Sequence, residues 1–286
     1  MTGPKFGPGG NSEIFYASGF KSTIDAPAFL KSYGLDAYEY EAGNGLRTSD
    51  ATLAAIGRAA RESGIAMSLH TPYFISLSNP EPEKMQAACD YVKQSVRAAE
   101  LLGAVTVVIH CGGVAKMTRE EGMLNSKRTL SMLMDQIGHT DIHLGLETMG
   151  KINQLGTLNE VIELCSLSEC FYPVVDFGHL NARNVGDYFT DVDSYRRVFS
   201  EVAESLSDEK AINMHCHFSK IEYTSKGEKK HLTFADNVYG PDFEPLMEAI
   251  AIDKLSPTII CESAGTMAED ALAMKQYYNK YVTEMR

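Results

Sequence analysis

Short apolar runs alternate with longer amphipathic segments along this chain, and most of the runs stop on a histidine or an acid. The runs are Glu13–Ala17, Ala37–Tyr40, Ile65–Leu69, Val105–Ile109, Ile142–Leu146, Phe171–Val175, Ala211–His215 and Pro257–Cys261. Between them lie Ser49–Ser63, Glu83–Leu102, Thr118–Ile137, Thr157–Leu167, Asp193–Leu206, Phe243–Ile250 and Thr266–Thr283, which read as helices. Three of these open on a threonine with a glutamate three residues on, the pattern of a capping box: Thr118/Glu121, Thr157/Glu160 and Thr266/Glu269. Pro241, after Gly240, suits the first turn of another helix. A strand-then-helix unit repeated without a long interruption predicts a parallel sheet closed into a (β/α)8 barrel rather than an open doubly wound sheet. Residues 1–286 suit a single domain of that architecture.

The polar ends of the runs say where chemistry would gather. They are Ser68-Leu69-His70, Val108-Ile109-His110, Gly145-Leu146-Glu147, Val174-Val175-Asp176, Asn213-Met214-His215 and Ile260-Cys261-Glu262. In a barrel the carboxyl ends of all strands meet on one face, where catalytic groups collect. Imidazoles and carboxylates together suit zinc or manganese, whereas oxygen donors alone would suit magnesium or calcium. Glu147, with histidines on one side and Asp176, His215 and Glu262 on the other, is placed to bridge two ions. Such a pair could activate water and stabilise both oxygens of a displacement at phosphorus. His179 follows Asp176 in a D-x-x-H spacing and could reach the same mouth; His231 lies in a polar stretch, Phe218 to Tyr239, that reads as a long loop. His139, His143 and His217 read as surface or packing residues.

Charge and composition limit the partners. A formal charge of -12 argues against nonspecific attraction to nucleic acid, although bound divalent ions would reverse the field locally. No run approaches the length of a membrane helix, and Met1 to Asn11 is a Gly/Pro-rich lead without a signal-peptide core, so a cytoplasmic protein with no membrane partner is expected. Six cysteines without a C-x-x-C pair read as reduced, mostly buried thiols.

These residues resemble the endonuclease IV family of apurinic/apyrimidinic endonucleases, within the xylose-isomerase-like TIM barrel superfamily. The resemblance is carried by His70-Thr71-Pro72-Tyr73-Phe74-Ile75-Ser76-Leu77, His110, Leu146-Glu147-Thr148, Asp176-Phe177-Gly178-His179, His215 and Cys261-Glu262. It implies cleavage of DNA 5′ to an abasic site by a monomer holding two or three zinc ions, with Glu147 and Glu262 as catalytic carboxylates. His70, His110 and Glu147 would hold the first ion, and Glu147, Asp176, His215 and Glu262 the second. His179 and His231 would hold a third together with an aspartate two residues before His231. That position is Lys229 here, so the third set is short of a carboxylate unless Glu228 or Asp236 swings in. Lys229 would then bring positive charge to the phosphate, and Tyr73 and Phe74 would fill the gap left by the missing base.

Two other readings compete. A one-metal sugar isomerase or epimerase of the same superfamily needs only Glu147, Asp176, His215 and Glu262. His70 and His110 favour the nuclease, because one ion has no need of them. The third reading, a binding scaffold with a relict site, conflicts with two sets that look complete.

Overall fold

The computed structural model describes residues 3–285; Met1 and Thr2, the start of the lead segment, lie outside them. Eight strands form one parallel sheet: β1 (Lys5–Pro8), β2 (Ala37–Glu41), β3 (Ala66–His70), β4 (Ala104–His110), β5 (His143–Glu147), β6 (Phe171–Asp176), β7 (His215–Phe218) and β10 (Thr258–Cys261). A two-stranded hairpin, β8 (Ile221–Thr224) and β9 (Gly227–His231), intervenes after β7. The order β1-β10-β7-β6-β5-β4-β3-β2 becomes a ring where Gly9 bridges Glu39 and the Gly10 amide donates to the Glu39 carbonyl at 3.0 Å. Helices α1 (Glu13–Ala17), α2 (Ala26–Tyr33), α3 (Asp50–Ser63), α4 (Pro82–Leu102), α5 (Arg119–Ile137), α6 (Leu158–Cys165), α7 (Phe177–Arg183), α8 (Val192–Ser205), α9 (Asp208–Ile212), α10 (Glu244–Ile252) and α11 (Met267–Glu284) complete the alternation. The expected barrel is therefore present.

Two strands sit elsewhere than the sequence predicted. Glu13–Ala17 is helix α1, and the first strand comes from the Gly/Pro-rich lead. There Gly7 is a requirement of packing: a Cβ on it would stand 1.9 Å from the Ala37 carbonyl oxygen, so β1 and β2 can approach only without a side chain. Ala211–His215 is likewise not a strand: Ala211 and Ile212 end helix α9, which Ser207 caps by accepting from the Lys210 amide. β7 then begins at His215 instead of ending there. The stretch read as a long loop contains the hairpin, and Pro241 lies ahead of α10, whose first turn carries Pro245.

The helices pack on the outer face of the ring. In α4 the residues Cys89, Val92, Val96, Ala99 and Leu102 recur every three or four positions and are buried, which fastens that helix to the sheet. Capping boxes form at Thr118/Glu121 and Thr157/Glu160 as predicted, whereas Thr266 makes no cap bond and donates its hydroxyl to Asp270. All six cysteines are free, and five are buried. Among the described residues no helix is long and apolar enough to cross a membrane.

Candidate metal centre

His70, His110, Glu147 and Asp176 are the last residues of their strands, and Glu262 follows the last residue of β10. His70 Nε2 and His110 Nε2 stand 3.4 and 3.1 Å from Glu147 Oε2. On the other side of the same carboxylate, Oε1 lies 3.1 Å from His217 Nδ1, which is itself 3.5 Å from Glu262 Oε1. Two donor sets thus share Glu147: His70, His110 and Glu147 in one, and Glu147, Asp176, His217 and Glu262 in the other.

The second set contains His217, not His215. Alternate residues of a strand share a face, so both histidines of β7 point inward. Register decides which reaches the rim: His217 pairs with Asp176, whereas His215 pairs with Val174, one layer deeper. The sequence marks this pair as an H-x-H, but a strand thought to end at His215 leaves His217 outside. His215 Nε2 instead meets Glu39 Oε2 at 2.9 Å. Glu39 and Glu41 were missed altogether. Their signal was two glutamates two residues apart in the run Ala37-Tyr38-Glu39-Tyr40-Glu41, hence on one face of β2.

A third set forms beside the first two. Asp176 caps α7 by accepting from the His179 amide at 2.7 Å, which starts the helix directly on the strand and keeps His179 at the mouth. His179 Nε2 is 3.5 Å from Glu228 Oε2, and His231 closes the set. Glu228 and His231 are three apart, which would put them on opposite faces of a regular strand. In the hairpin register Glu222 pairs with Lys230 and Tyr223 with Glu228, so Lys229 is the extra residue of a bulge and the two donors face the same way. Glu228 therefore takes the carboxylate place. Lys229 turns outward with Lys230 to pair with Glu222, so the positive charge expected from it does not reach the cluster. Asp236 is engaged by the Val238 and Tyr239 amides and stays away.

Ring orientation fits ion binding. His70 Nδ1–H donates to the Thr71 carbonyl at 2.7 Å, His179 Nδ1–H to the Thr148 carbonyl at 2.9 Å, and His231 Nδ1 shares a hydrogen bond with Ser219 Oγ at 2.8 Å. Each partner fixes one nitrogen and leaves Nε2 for the cluster, as supporting groups around metals do. Glu147 Oε2 and Asp176 Oδ2 are buried with no hydrogen-bond partner. Unpartnered buried carboxylate oxygens are costly, and cations held in the two sets would remove that cost.

The electrostatics agree. Burial opposes ionisation of Glu147, yet the imidazoles of His110, His179, His217 and His70 gathered around it outweigh that and hold the carboxyl well below the usual range. Glu262 is pushed up to about 8, by burial first and by Asp176 and Glu147 as well, against the pull of His217. Burial disfavours the His70 imidazolium, but Glu41 and Glu147 raise it to about 10.

Above the cluster, Gly9, Glu41, His231, Glu262, Ser263, Gly265 and Met267 line a cavity of about 370 Å³. Tyr73 and Phe74, three and four residues past His70, are 55% and 48% exposed, enough to meet a ligand. The Tyr73 hydroxyl donates to Asn44, and Phe74 sits edge-on to Tyr91 with centroids 5.0 Å apart. His139 is exposed beside Asp141, and His143 stacks on Tyr172 at 3.7 Å, both remote from the mouth.

Comparison with known proteins places this architecture. An uncharacterised protein of Methanocaldococcus jannaschii is 29% identical over 217 residues, 74% of this chain and 77% of that one. A probable endonuclease 4 of Mycoplasma genitalium is 26% identical over 224 residues, 76% of this chain and 72% of its own. Among solved structures, a D-tagatose 3-epimerase-like protein aligns with a TM-score of 0.71 at 18% identity, over 98% of this chain and 99% of that one. Endonuclease IV from Thermus thermophilus aligns with a TM-score of 0.70 at 16% identity, over 98% and 100%. At such identities the two structures share the fold with this chain and do not choose between their activities. The family model for the xylose isomerase-like TIM barrel matches residues 27–277, and the chain belongs to that family.

Proposed function

We propose that the protein is a metal-dependent phosphodiesterase of the endonuclease IV type, acting on DNA at abasic sites. The observation that carries this reading is Glu147, a buried carboxylate shared by two donor sets, with a third set alongside. A one-metal epimerase needs Glu147, Asp176, His217 and Glu262 but has no use for His70 and His110 on the far oxygen of Glu147.

His70, His110 and Glu147 would hold the first ion, Glu147, Asp176, His217 and Glu262 the second, and His179, Glu228 and His231 the third. Divalent ions there, zinc or manganese by donor chemistry, would supply Lewis acidity and a nucleophile at neutral pH for an in-line displacement at phosphorus. Glu147 keeps the first two seats adjacent. Glu262 closes the second seat where it opens to the cavity. Tyr73 and Phe74 present aromatic surface at the rim, where a wedge could enter a gap in the base stack and offset its distortion.

The test is incubation with a duplex carrying one tetrahydrofuran abasic analogue, with and without chelator, and separately with free ketoses. Nicking 5′ to the lesion that stops with chelator and returns with zinc or manganese is expected. Sugar interconversion without nicking would replace this reading with the epimerase one.

A further inference from the structure

A carboxylate lies one layer beneath the mouth, where barrels of this kind usually hold branched apolar side chains. Glu39 is fully buried in the middle of β2, level with Ser68 of β3. Its Oε2 accepts from Ser68 Oγ at 2.7 Å and meets His215 Nε2 at 2.9 Å. Its Oε1 lies 2.8 Å from His217 Nε2. β2 and β7 are separated in the ring by β1 and β10, so these contacts run through the barrel interior.

We propose that Glu39 is a positioning residue for the second seat, acting through His217. Resting on the metal-dependent reading above, this deepens it by naming what sets the ligand's tautomer. His217 Nδ1 faces Glu147 and Glu262. An imidazole that ligates through Nδ1 carries its proton on Nε2, and that proton needs an acceptor. Glu39 Oε1 and His217 Nε2 are both buried, at hydrogen-bond distance but out of hydrogen-bond alignment, and neither has another partner. Among the described residues neither atom has another hydrogen-bond partner, so a ring turned into alignment by a ligand on Nδ1 satisfies both. The resulting carboxylate–histidine–metal arrangement fixes ring orientation and strengthens the donor. His215 and Ser68 hold the other oxygen and stop the carboxylate from rotating.

The same donors could instead seat an ion of their own, with Glu39, His215 and His217 as ligands. Charge argues against it. The carboxylates of the mouth and the layer below, Glu39, Glu41, Glu147, Asp176, Glu228 and Glu262, match three divalent ions, which the other sets already accommodate.

The experiment is zinc titration of the full-length protein and its Glu39→Gln variant against a chromophoric chelator, with ions counted per chain. In Glu39→Gln the second seat should weaken by about 10–100-fold, the usual consequence of losing such a partner, with the first seat unchanged. Unchanged affinity at every seat overturns the proposal, as does the outright loss of one additional ion with the other seats intact, which would make Glu39 a ligand. Wild-type protein that binds no zinc defeats the metal reading itself, so the two failures are distinguishable. A second measurement needs no substitution at Glu39. In protein loaded with 113Cd and labelled with 15N-histidine, the His217 signals, assigned by their loss in His217→Gln, should couple to cadmium through Nδ1 and keep a slowly exchanging proton on Nε2. Coupling through Nε2 overturns the proposal.

Discussion

At Glu147 one side chain meets four imidazoles, two on each oxygen: His70 and His110 on Oε2, His179 and His217 on Oε1. Removing that carboxylate should therefore cost more than removing any ligand that serves a single seat. Glu147→Ala is expected to lose both shared ions and to lower turnover by more than the roughly 10–100-fold typical of a supporting group. Ion counts per chain and single-turnover nicking check this, and retained activity would refute the bridge. The two histidines of β7 give a finer contrast. His217→Gln should empty the second seat, because Nδ1 is one of its donors, while His215→Gln should leave the ion in place with affinity reduced about tenfold at most. The reverse ranking would make His215, not His217, the donor of the second seat.

Among the elements, α6 shows how local chemistry fixes a helix and hence the strand that precedes it. Thr157 Oγ1 accepts from the Glu160 amide at 3.2 Å, and Glu160 Oε2 accepts from the Thr157 and Gly156 amides at 3.0 and 2.9 Å. Glu160 also binds Arg119 of α5, so one carboxylate joins two helices. Thr157→Ala should cost about 1 kcal/mol of stability. Thr266→Ala should cost under about 0.5 kcal/mol, because no cap bond is lost there and its partner Asp270 remains bonded to the Phe234 amide. Urea unfolding midpoints at constant m-value would check the pair, and equal losses would contradict the difference in capping. Strands β2 to β6 and β10 were legible in the sequence because long apolar runs, capping residues and polar ends agreed with one another. β1 was not, since Gly7 and Pro8 erase the apolar signal at the point where two backbones must touch. Nor was β7: a four-residue strand after a five-residue helix offers too few positions for periodicity to separate them. That error put His215 where the structure brings His217 to the rim, while His70, His110, Glu147, Asp176 and Glu262 lie at the ends of strands that the sequence marks clearly. Glu228 was harder still, because its alignment with His231 depends on a bulge, and a bulge changes parity without changing composition.

For the whole molecule the question is how a chain of formal charge -12 could hold a polyanion. The bare mouth would repel one, since Glu41, Glu147, Asp176, Glu228 and Glu262 all gather there. At an effective dielectric of about 20, one unit charge about 5 Å from a phosphate is worth roughly 3 kcal/mol. Three divalent ions, matching these carboxylates and Glu39 beneath them, would then remove that repulsion and set positive charge next to the phosphate, while the outer surface stays acidic. The hairpin adds Lys226, Lys229 and Lys230 on the same side, but Glu222 already engages two of them, so their contribution is modest. Affinity for an abasic duplex should accordingly depend on ions and not on surface lysines. Anisotropy with a labelled tetrahydrofuran duplex at low salt is expected to show at least about a tenfold loss of binding after demetallation, restored by zinc. Substitution of Lys229 and Lys230 by glutamine should change affinity by no more than about threefold, the order of an exposed charge pair. If the demetallated protein bound the duplex as tightly as the loaded one, the ions would have no part in holding the substrate, and the attraction would have to be sought elsewhere on the surface.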